Sequence, residues 1–211
     1  MNGFDSLIAK SLALTISENL GEMALKRIEQ RLFERHGLNL TEAIEDFSKL
    51  DNILREYFGN SAAQRLENQF LQAVISLQGE KTQGLEWVSI ENRYLATGIL
   101  SAVGDEDKKN ILNAVLGEGR VISDILDTCK IPQTSGYRKV NSLIENGLLV
   151  SDGTITLHDG KLVNKYRCLF NNITINFEKD KVVVRVQVVK ESLRQSSVIQ
   201  SVYSQLSKMA A

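Results

Sequence analysis

Proline, cysteine and histidine are scarce in this chain, which has 1 proline, 2 cysteines and 2 histidines among 211 residues. The single proline argues against proline-rich disordered linkers. Cys129 and Cys168 lie far apart and lack metal-ligand spacing, which indicates neither a zinc site nor a disulfide framework and fits a reducing cytoplasm. His36 and His158 also have no cysteine or histidine at such spacing, so we interpret both as turn or helix-end residues.

The chain also has no strong charge and no long apolar run. Its net charge is −1 and its pI is near 6.2, which argues against a general polyanion binder but allows a basic face on one domain. No run approaches the ~18 apolar residues of a membrane span. The N-terminus lacks a basic segment and carries Asp5, so no signal peptide is predicted. The remaining composition is that of a globular cytoplasmic protein with one large or two small domains.

Motifs that carry catalysis are also absent. Asp105, Glu106 and Asp107 resemble paired catalytic carboxylates, but a helix dipole explains them and no nucleophile lies beside them in the sequence. The glycines form neither common phosphate-binding motif. We therefore predict no enzyme, no cofactor and no metal. Cys129 is interpreted as a buried structural thiol, with a redox switch at either cysteine as the alternative.

The most informative pattern lies in residues 131–149. The positions at helical spacing along one face are Gly136, Val140, Leu143, Ile144 and Gly147. The opposite face carries Thr134, Tyr137, Arg138, Asn141 and Glu145. This spacing predicts a helix that follows Pro132, has Thr134 as its N-cap and ends at Gly147. A glycine at position 136 on the inner face predicts a close crossing by a neighbouring helix.

Shorter elements are predicted on both sides of this helix. They are helices at Asp105–Leu116 and Ile122–Cys129 and strands at Leu148–Val150, Thr154–Leu157 and Leu162–Phe170. Ser123 is the expected N-cap of the second helix, and Asp152-Gly153 and His158-Asp159-Gly160 are expected turns. Three helices followed by a hairpin are typical of a winged helix-turn-helix, in which the third helix enters the major groove of DNA.

A family resemblance supports this interpretation over about the middle third of the chain. Residues 99–105 and Ile111-Leu112, followed by the helix pair, resemble the winged-helix domain of the arsenic-repressor type. Archaeal winged helix-turn-helix transcriptional regulators are still more similar, through Ile131-Pro132, Ser135-Gly136-Tyr137-Arg138 and Gly147-Leu148-Leu149. The resemblance implies a DNA-binding transcriptional regulator. The metal-binding cysteine pair of some arsenic-repressor-type proteins has no counterpart, so metal sensing is not implied.

Candidate DNA contacts lie on the exposed face of the third helix and on the hairpin. Arg138 suits bidentate contact with guanine, and Asn141 suits adenine. The full set of predicted contacts is Gln133, Thr134, Ser135, Tyr137, Arg138, Lys139, Asn141, Lys161, Lys165 and Arg167, with Lys130 as a further phosphate contact. The acids of the first helix and Asp127 are expected to lie away from the groove. The alternative is that all these polar groups are solvated faces of their elements.

Residues 1–79 are predicted to form a helical bundle with its own core. Its helices are expected at residues 4–20, Met23–His36, Thr41–Phe47, Ser48–Phe58 and Ala62–Gln78, with Thr41 and Ser48 as N-caps. Residues 80–104 are predicted to be a linker and a lead-in helix, with Leu85 to Ser89 able to pack on either domain. The bundle resembles the nitrosopumilus output domain group of thaumarchaeal signalling proteins, which implies a sensor or partner module. The matching positions are Leu20-Gly21, Leu32, residues 36–40, Phe47, residues 57–59 and Ala62-Ala63.

Residues 171–211 are predicted to form a second hairpin and a terminal helix. Ile173, Ile175 and Phe177 alternate with polar residues, and a β-branched run follows from Val182 to Val189. We interpret the hairpin and helix as a dimer element, with packing on the winged domain of the same chain as the alternative.

Two functions therefore remain open. The first is a homodimeric, DNA-binding transcription regulator whose N-terminal bundle couples a signal or a protein partner. The second is a protein-interaction adaptor in a signalling complex, in which the winged helix contacts protein.

Overall fold

The computed structural model describes residues 3–77, 84–157, 160–179 and 181–209, and the side chains of 178, 181 and 204–209 lie outside this description. Helix accounts for 63% and strand for 22% of the described residues, so the predicted mainly α class with a small β part is confirmed. The helices are α1 Gly3–Asn19, α2 Glu22–His36, α3 Leu40–Glu45, α4 Phe47–Phe58, α5 Asn60–Val74, α6 Arg93–Gly104, α7 Glu106–Ala114, α8 Ile122–Cys129, α9 Gln133–Glu145, α10 Lys190–Arg194 and α11 Ser197–Met209. The strands are β1 Ile75–Leu77, β2 Leu85–Ile90, β3 Arg120–Val121, β4 Leu149–Thr156, β5 Leu162–Cys168, β6 Phe170–Glu178 and β7 Lys181–Val189.

Helices α1 to α5 and α11 pack together, and we call these six helices the bundle. The five predicted N-terminal helices are present, but two N-caps differ from those expected. Asn39, rather than Thr41, caps α3 in a capping box with Glu42. Asp46 precedes α4, and Ser48 lies inside that helix, where its hydroxyl donates to Asp46.

A four-stranded antiparallel sheet in the order β1-β2-β7-β6 follows the bundle. It revises two expectations. Helix α5 ends at Val74 instead of Gln78, which lies outside the described residues, and the chain continues into β1. The stretch from Leu85 to Ile90, assigned to the linker, forms β2 between β1 and β7. The predicted hairpin of β6 and β7 is confirmed, and residues 80–83 of the predicted linker lie outside the described residues.

The C-terminal helix packs within its own chain. Helix α11 contacts α3, α4 and α5 and therefore lies on the bundle. The alternative interpretation had placed it on the winged domain, residues 105–170. The side chain of Asp5 on α1 accepts hydrogen bonds from the Ser197 backbone N–H at 2.8 Å and from the Ser197 hydroxyl at 3.0 Å. Ser196 also donates its hydroxyl to Asp5. The two termini of the chain are therefore joined through a buried carboxylate.

Helices α7, α8 and α9 and the sheet β3-β5-β4 form a second group, which we call the three-helix unit. Each of its helices contacts the other two. The turn predicted at Asp152-Gly153 is wrong, because β4 continues through it. Ser151 pairs with Tyr166 and Thr154 with Asn164, so Asp152 and Gly153 form a β-bulge opposite Lys165. The hairpin instead closes between Thr156 and Leu162, where residues 158–159 of the other predicted turn lie outside the described residues.

The bundle and the three-helix unit share one continuous apolar core. Helix α1 contacts α6 and β4 directly. A Cβ at Gly147, which follows α9 with φ +68°, would lie 2.4 Å from the Leu7 backbone nitrogen. Lys10 on α1 donates to the Asn146 side chain at 3.4 Å. The end of α9 is thus packed tightly against α1. Among the helices that the structure describes, none is long and apolar enough to span a membrane.

Candidate nucleic-acid interface

Backbone conformation, and not a side-chain cap, sets the start of helix α9. It begins at Gln133, directly after Pro132, whose φ of −56° suits a helix start. The predicted N-cap role of Thr134 is wrong, since Thr134 lies in the first turn and no side-chain cap bond forms at Pro132. The turn from α8 passes through Lys130, a non-glycine residue with φ 55°. Similarly, α8 begins after Val121 without a side-chain cap, so the predicted cap at Ser123 is also wrong.

The inner face of α9 packs as its spacing predicts. Gly136, Val140 and Leu143 are buried. A Cβ at Gly136 would lie 2.5 Å from the Cδ2 atom of Leu126 on α8, which confirms the predicted close crossing of the two helices. Because the glycine lets α8 approach closely, α9 has one fixed orientation and its opposite face is turned to solvent.

That opposite face carries polar side chains without intramolecular partners. The exposed members are Gln133, Thr134, Tyr137, Arg138, Asn141 and the acidic Glu145. Within the described part of the chain, none of these six side chains forms a hydrogen bond or an ion pair. Ser135 differs, since it is half-buried and donates its hydroxyl to the Pro132 carbonyl at 3.1 Å. The guanidinium of Arg138 and the amide of Asn141 are therefore available to an external acceptor or donor.

Lys139 differs from its neighbour Arg138. Its ammonium lies 2.7 Å from Asp105 Oδ1 and 3.0 Å from Asp107 Oδ2. The hydrogen bond from Lys139 holds the pKa of Asp105 below its usual range, and the pKa of Lys139 is raised in return. The acids of the first helix are expected to lie away from the groove, but Asp105 and Asp107 contact Lys139, which is itself a predicted DNA contact. Two carboxylates compensate this cation within the fold.

Two of the predicted contacts on the hairpin share one strand face. Lys165 and Arg167 are two residues apart on β5, so their side chains leave the same side of the strand, while Lys161 lies just before the strand begins. Lys161 is exposed at the hairpin turn, and Lys165 is half-buried opposite Val121 of β3. Arg167 forms an ion pair with Asp152 of the β-bulge at 3.1 Å. The bulge thus places an acid beside one of the three cations.

The end of the hairpin is more apolar than the sequence interpretation suggests. Leu162 is 67% exposed, and Ile155 and Leu157 are also exposed. Leu157 and Leu162 flank the hairpin turn, in which the Leu157 N–H donates to the Lys161 carbonyl, and Ile155 lies on β4 just before it. The tip therefore offers both a cation and an apolar surface.

Neither cysteine is favoured as a reactive group near this face. Burial raises the pKa of the Cys168 thiol to about 12 and also raises the pKa of the half-buried Cys129 thiol, which disfavours a reactive thiolate at either position. His36 lies in the last turn of α2, and His158 lies outside the described residues. Among the residues that the structure describes, no three His, Cys, Asp or Glu side chains group to hold a metal ion.

Residues that sequence reasoning missed lie in the bundle and beside α9. Lys10 and Arg93 flank a groove between α1 and α6, and Glu67 is a buried carboxyl on α5. Helical spacing gives a signal for Glu67, since Ala63, Leu71 and Val74 share its face and are buried.

Comparison with known proteins finds no family model, no curated protein and no solved structure that matches this chain.

Proposed function

We propose that this protein is a DNA-binding transcriptional regulator in which α7, α8, α9 and the hairpin of β4 and β5 act as a winged helix-turn-helix. The observation that supports it best is the division of α9 into two faces. One face is fixed to α8 through Gly136, and the other presents Arg138 and Asn141 without partners among the described residues. A helix oriented in this way suits insertion into the major groove.

The proposal gives each side chain a role that its surroundings allow. Arg138 would donate two hydrogen bonds to a guanine, and Asn141 would pair with an adenine edge. Gln133, Thr134 and Tyr137, at the start of α9, are within reach of bases or phosphates. Lys161, Lys165 and Arg167 would contact the phosphate backbone through the hairpin. Ser135 and Lys139 contribute less, because each is engaged within the fold.

The bundle would couple a signal or a partner to this interface. Helix α1 lies directly against the end of α9 through Leu7 and Gly147, so a shift of α1 moves α9. The regulator would bind a pseudo-palindromic site as a homodimer, as expected for proteins of the archaeal type that the sequence resembles. The resemblance of the bundle to an output domain supports the same role.

Fluorescence anisotropy with DNA from upstream of the protein's own gene and with a scrambled duplex tests the proposal. We expect preference for the upstream duplex and a linear fall of log K with log salt. Arg138→Ala should weaken specific binding by about 1–3 kcal/mol, or about fivefold to 150-fold, because a bidentate base contact is lost. Arg65→Ala, an exposed arginine on α5, is the matched control and should bind as the unaltered protein does.

The salt series separates base contact from phosphate contact. Loss of a phosphate contact reduces the slope by ~0.9 and weakens both duplexes alike, whereas loss of a base contact weakens the upstream duplex alone. A folded protein that binds neither duplex at low salt contradicts the proposal. So does an Arg138→Ala variant whose affinity for the upstream duplex equals that of Arg65→Ala.

A second candidate function, a protein-interaction adaptor, is favoured by the apolar hairpin tip. Leu162, Ile155 and Leu157 would be poor phosphate contacts but good contacts for a protein surface. Two of the predicted cations, Lys139 and Arg167, are also paired within the fold. Leu162→Ser separates the two functions, since the adaptor predicts loss of partner binding and the regulator predicts little change in DNA affinity.

A further inference from the structure

A groove between α1 and α6 has a volume of about 750 Å³, which is in the range of small-molecule sites. Its lining is mainly apolar, with Leu7 and Leu14 on one side, Leu95 and Ile99 on the other, and Leu148 at the end. The groove follows α6 from Arg93 to Ser101, a helical distance of about 12 Å.

The charge of the groove is of one sign. Lys10 on α1 and Arg93 on α6 line it, and no acidic residue is among its lining residues. Arg93 is exposed and, within the described residues, forms no hydrogen bond or ion pair, while Lys10 makes only a 3.4 Å contact with Asn146. An apolar surface with an uncompensated guanidinium at its edge is complementary to a molecule that combines an apolar body with an anionic group.

Gly98 leaves room for such a ligand. It lies on the exposed face of α6 in the groove, and a Cβ built on it would meet no atom within 4 Å. A glycine inside a helix lowers helix stability by ~1 kcal/mol relative to alanine. Helix stability therefore does not explain why position 98 is a glycine, whereas the space that it leaves in the groove does.

We infer that this groove binds a small carboxylate with an apolar body, such as a medium-chain fatty acid, with the carboxylate at Arg93 and the apolar chain along α6 towards Leu148. This inference does not depend on DNA binding, since none of the residues that line the groove is a predicted DNA contact.

Isothermal titration calorimetry of the full chain with decanoate tests the site, and decyltrimethylammonium serves as a ligand with the same chain and the opposite charge. We expect binding of decanoate and much weaker binding of the cation. Arg93→Gln should raise the Kd for decanoate about tenfold, because a charge-assisted hydrogen bond is lost. Arg65→Gln should leave the Kd unchanged.

Gly98→Leu should abolish binding by filling the groove. Gly104→Leu is its matched control, because Gly104 belongs to the same helix and also has open space at its Cβ but does not line the groove. Thermal unfolding of both variants checks that the fold is kept. Three results would each overturn the site: equal affinity for the anionic and cationic ligands, unchanged binding in Gly98→Leu, or no decanoate binding by the unaltered protein.

Discussion

Two carboxyl groups of the bundle are buried, whereas the ion-paired carboxylates of the three-helix unit are partly exposed. In the bundle, Asp5 is 0% exposed and Glu67 is 1% exposed. In the three-helix unit, the side chains of Asp105, Asp107 and Asp152 are 33%, 43% and 34% exposed, and each pairs with a lysine or arginine. Acidic side chains therefore meet water beside α9, whereas the two at positions 5 and 67 of the bundle are excluded from it.

The difference separates stability from surface charge. A buried carboxyl must be satisfied by hydrogen bonds or carry a proton, because burial of an unpaired charge is costly. Asp5 takes the first course through Ser196 and Ser197, and Glu67 takes the second. Exposed, ion-paired acids contribute little to stability, but they set the charge beside α9. We therefore expect substitutions in the bundle to change unfolding and those in the three-helix unit to change binding.

The largest expected effect is that of Asp5→Ala. The substitution leaves the Ser197 N–H and the Ser196 hydroxyl without their acceptor at the start of α11, which should lower the free energy of unfolding by about 3 kcal/mol. Urea denaturation measures this loss, and hydrogen exchange should show that the amides of α11 lose protection first. Asp127→Ala, at an exposed position on α8, is the control and should stay within about 0.5 kcal/mol of the unaltered protein. Equal stability of the two variants would break the comparison.

Glu67→Gln should have the next largest effect, and its sign depends on pH. Burial, followed by the neighbouring Asp51, raises the pKa of Glu67 from 4.5 to about 9, while Arg55 at 3.8 Å opposes the shift. The folded state holds the proton of Glu67 more tightly than the unfolded state does. The contribution of this proton to the free energy of unfolding is therefore complete below about pH 4.5 and is lost as the pH rises to about 9.

Glutamine has no proton to lose, so the variant should keep its stability at alkaline pH. We expect the two proteins to be similar in mildly acidic buffer and the variant to be more stable by about 2 kcal/mol near the upper end of the range. Thermal unfolding across this pH range measures the difference, and Glu18→Gln, on the exposed side of α1, should follow the unaltered protein. If the Glu67→Gln curve has the same slope as the Glu18→Gln curve, Glu67 does not carry the proton.

Local patterns in the sequence were enough to predict the packing of α9 and most of the helices, although the short helix α10 was not predicted. The burial of Val140 and Leu143 and the close approach of Gly136 to Leu126 follow from spacing within one helix. The Asp152-Gly153 signal misled because glycine with φ +86° suits a bulge as well as a turn, and only the register with β5 distinguishes them.

Long-range pairing was beyond what the sequence could show. Residues Leu85–Ile90 form strand β2 by pairing with β7, which lies about a hundred positions later in the chain. No local property of these residues indicates that pairing. The position of α11 depends on Asp5 near the other end of the chain. The partner of Lys139 is likewise an acid on another helix, so spacing within α9 could not separate this compensated cation from Arg138.

The smallest expected effect is that of Asp105→Asn, and it tests the other side of the comparison. Asparagine is as good an N-cap as aspartate, so the bond from the Lys108 N–H at 3.0 Å should persist and the unfolding midpoint should hardly move. The charge on Lys139 loses one of its two carboxylates. If α9 binds DNA, the Kd should fall by about twofold to fivefold at low salt, and the gain should fade as salt screens it.

The double variant Asp105→Asn with Lys139→Met separates this effect from a general change in net charge. If the gain arises through Lys139, the aspartate substitution should have a much smaller effect when the lysine is absent. An equal gain in both backgrounds would assign the effect to the overall field of the protein. A loss of stability in Asp105→Asn as large as that in Asp5→Ala would instead show that an exposed, ion-paired carboxylate supports this fold as much as a buried one. That result would contradict the comparison, because the binding role expected for the three-helix unit requires that its surface charges can change while its core stays intact.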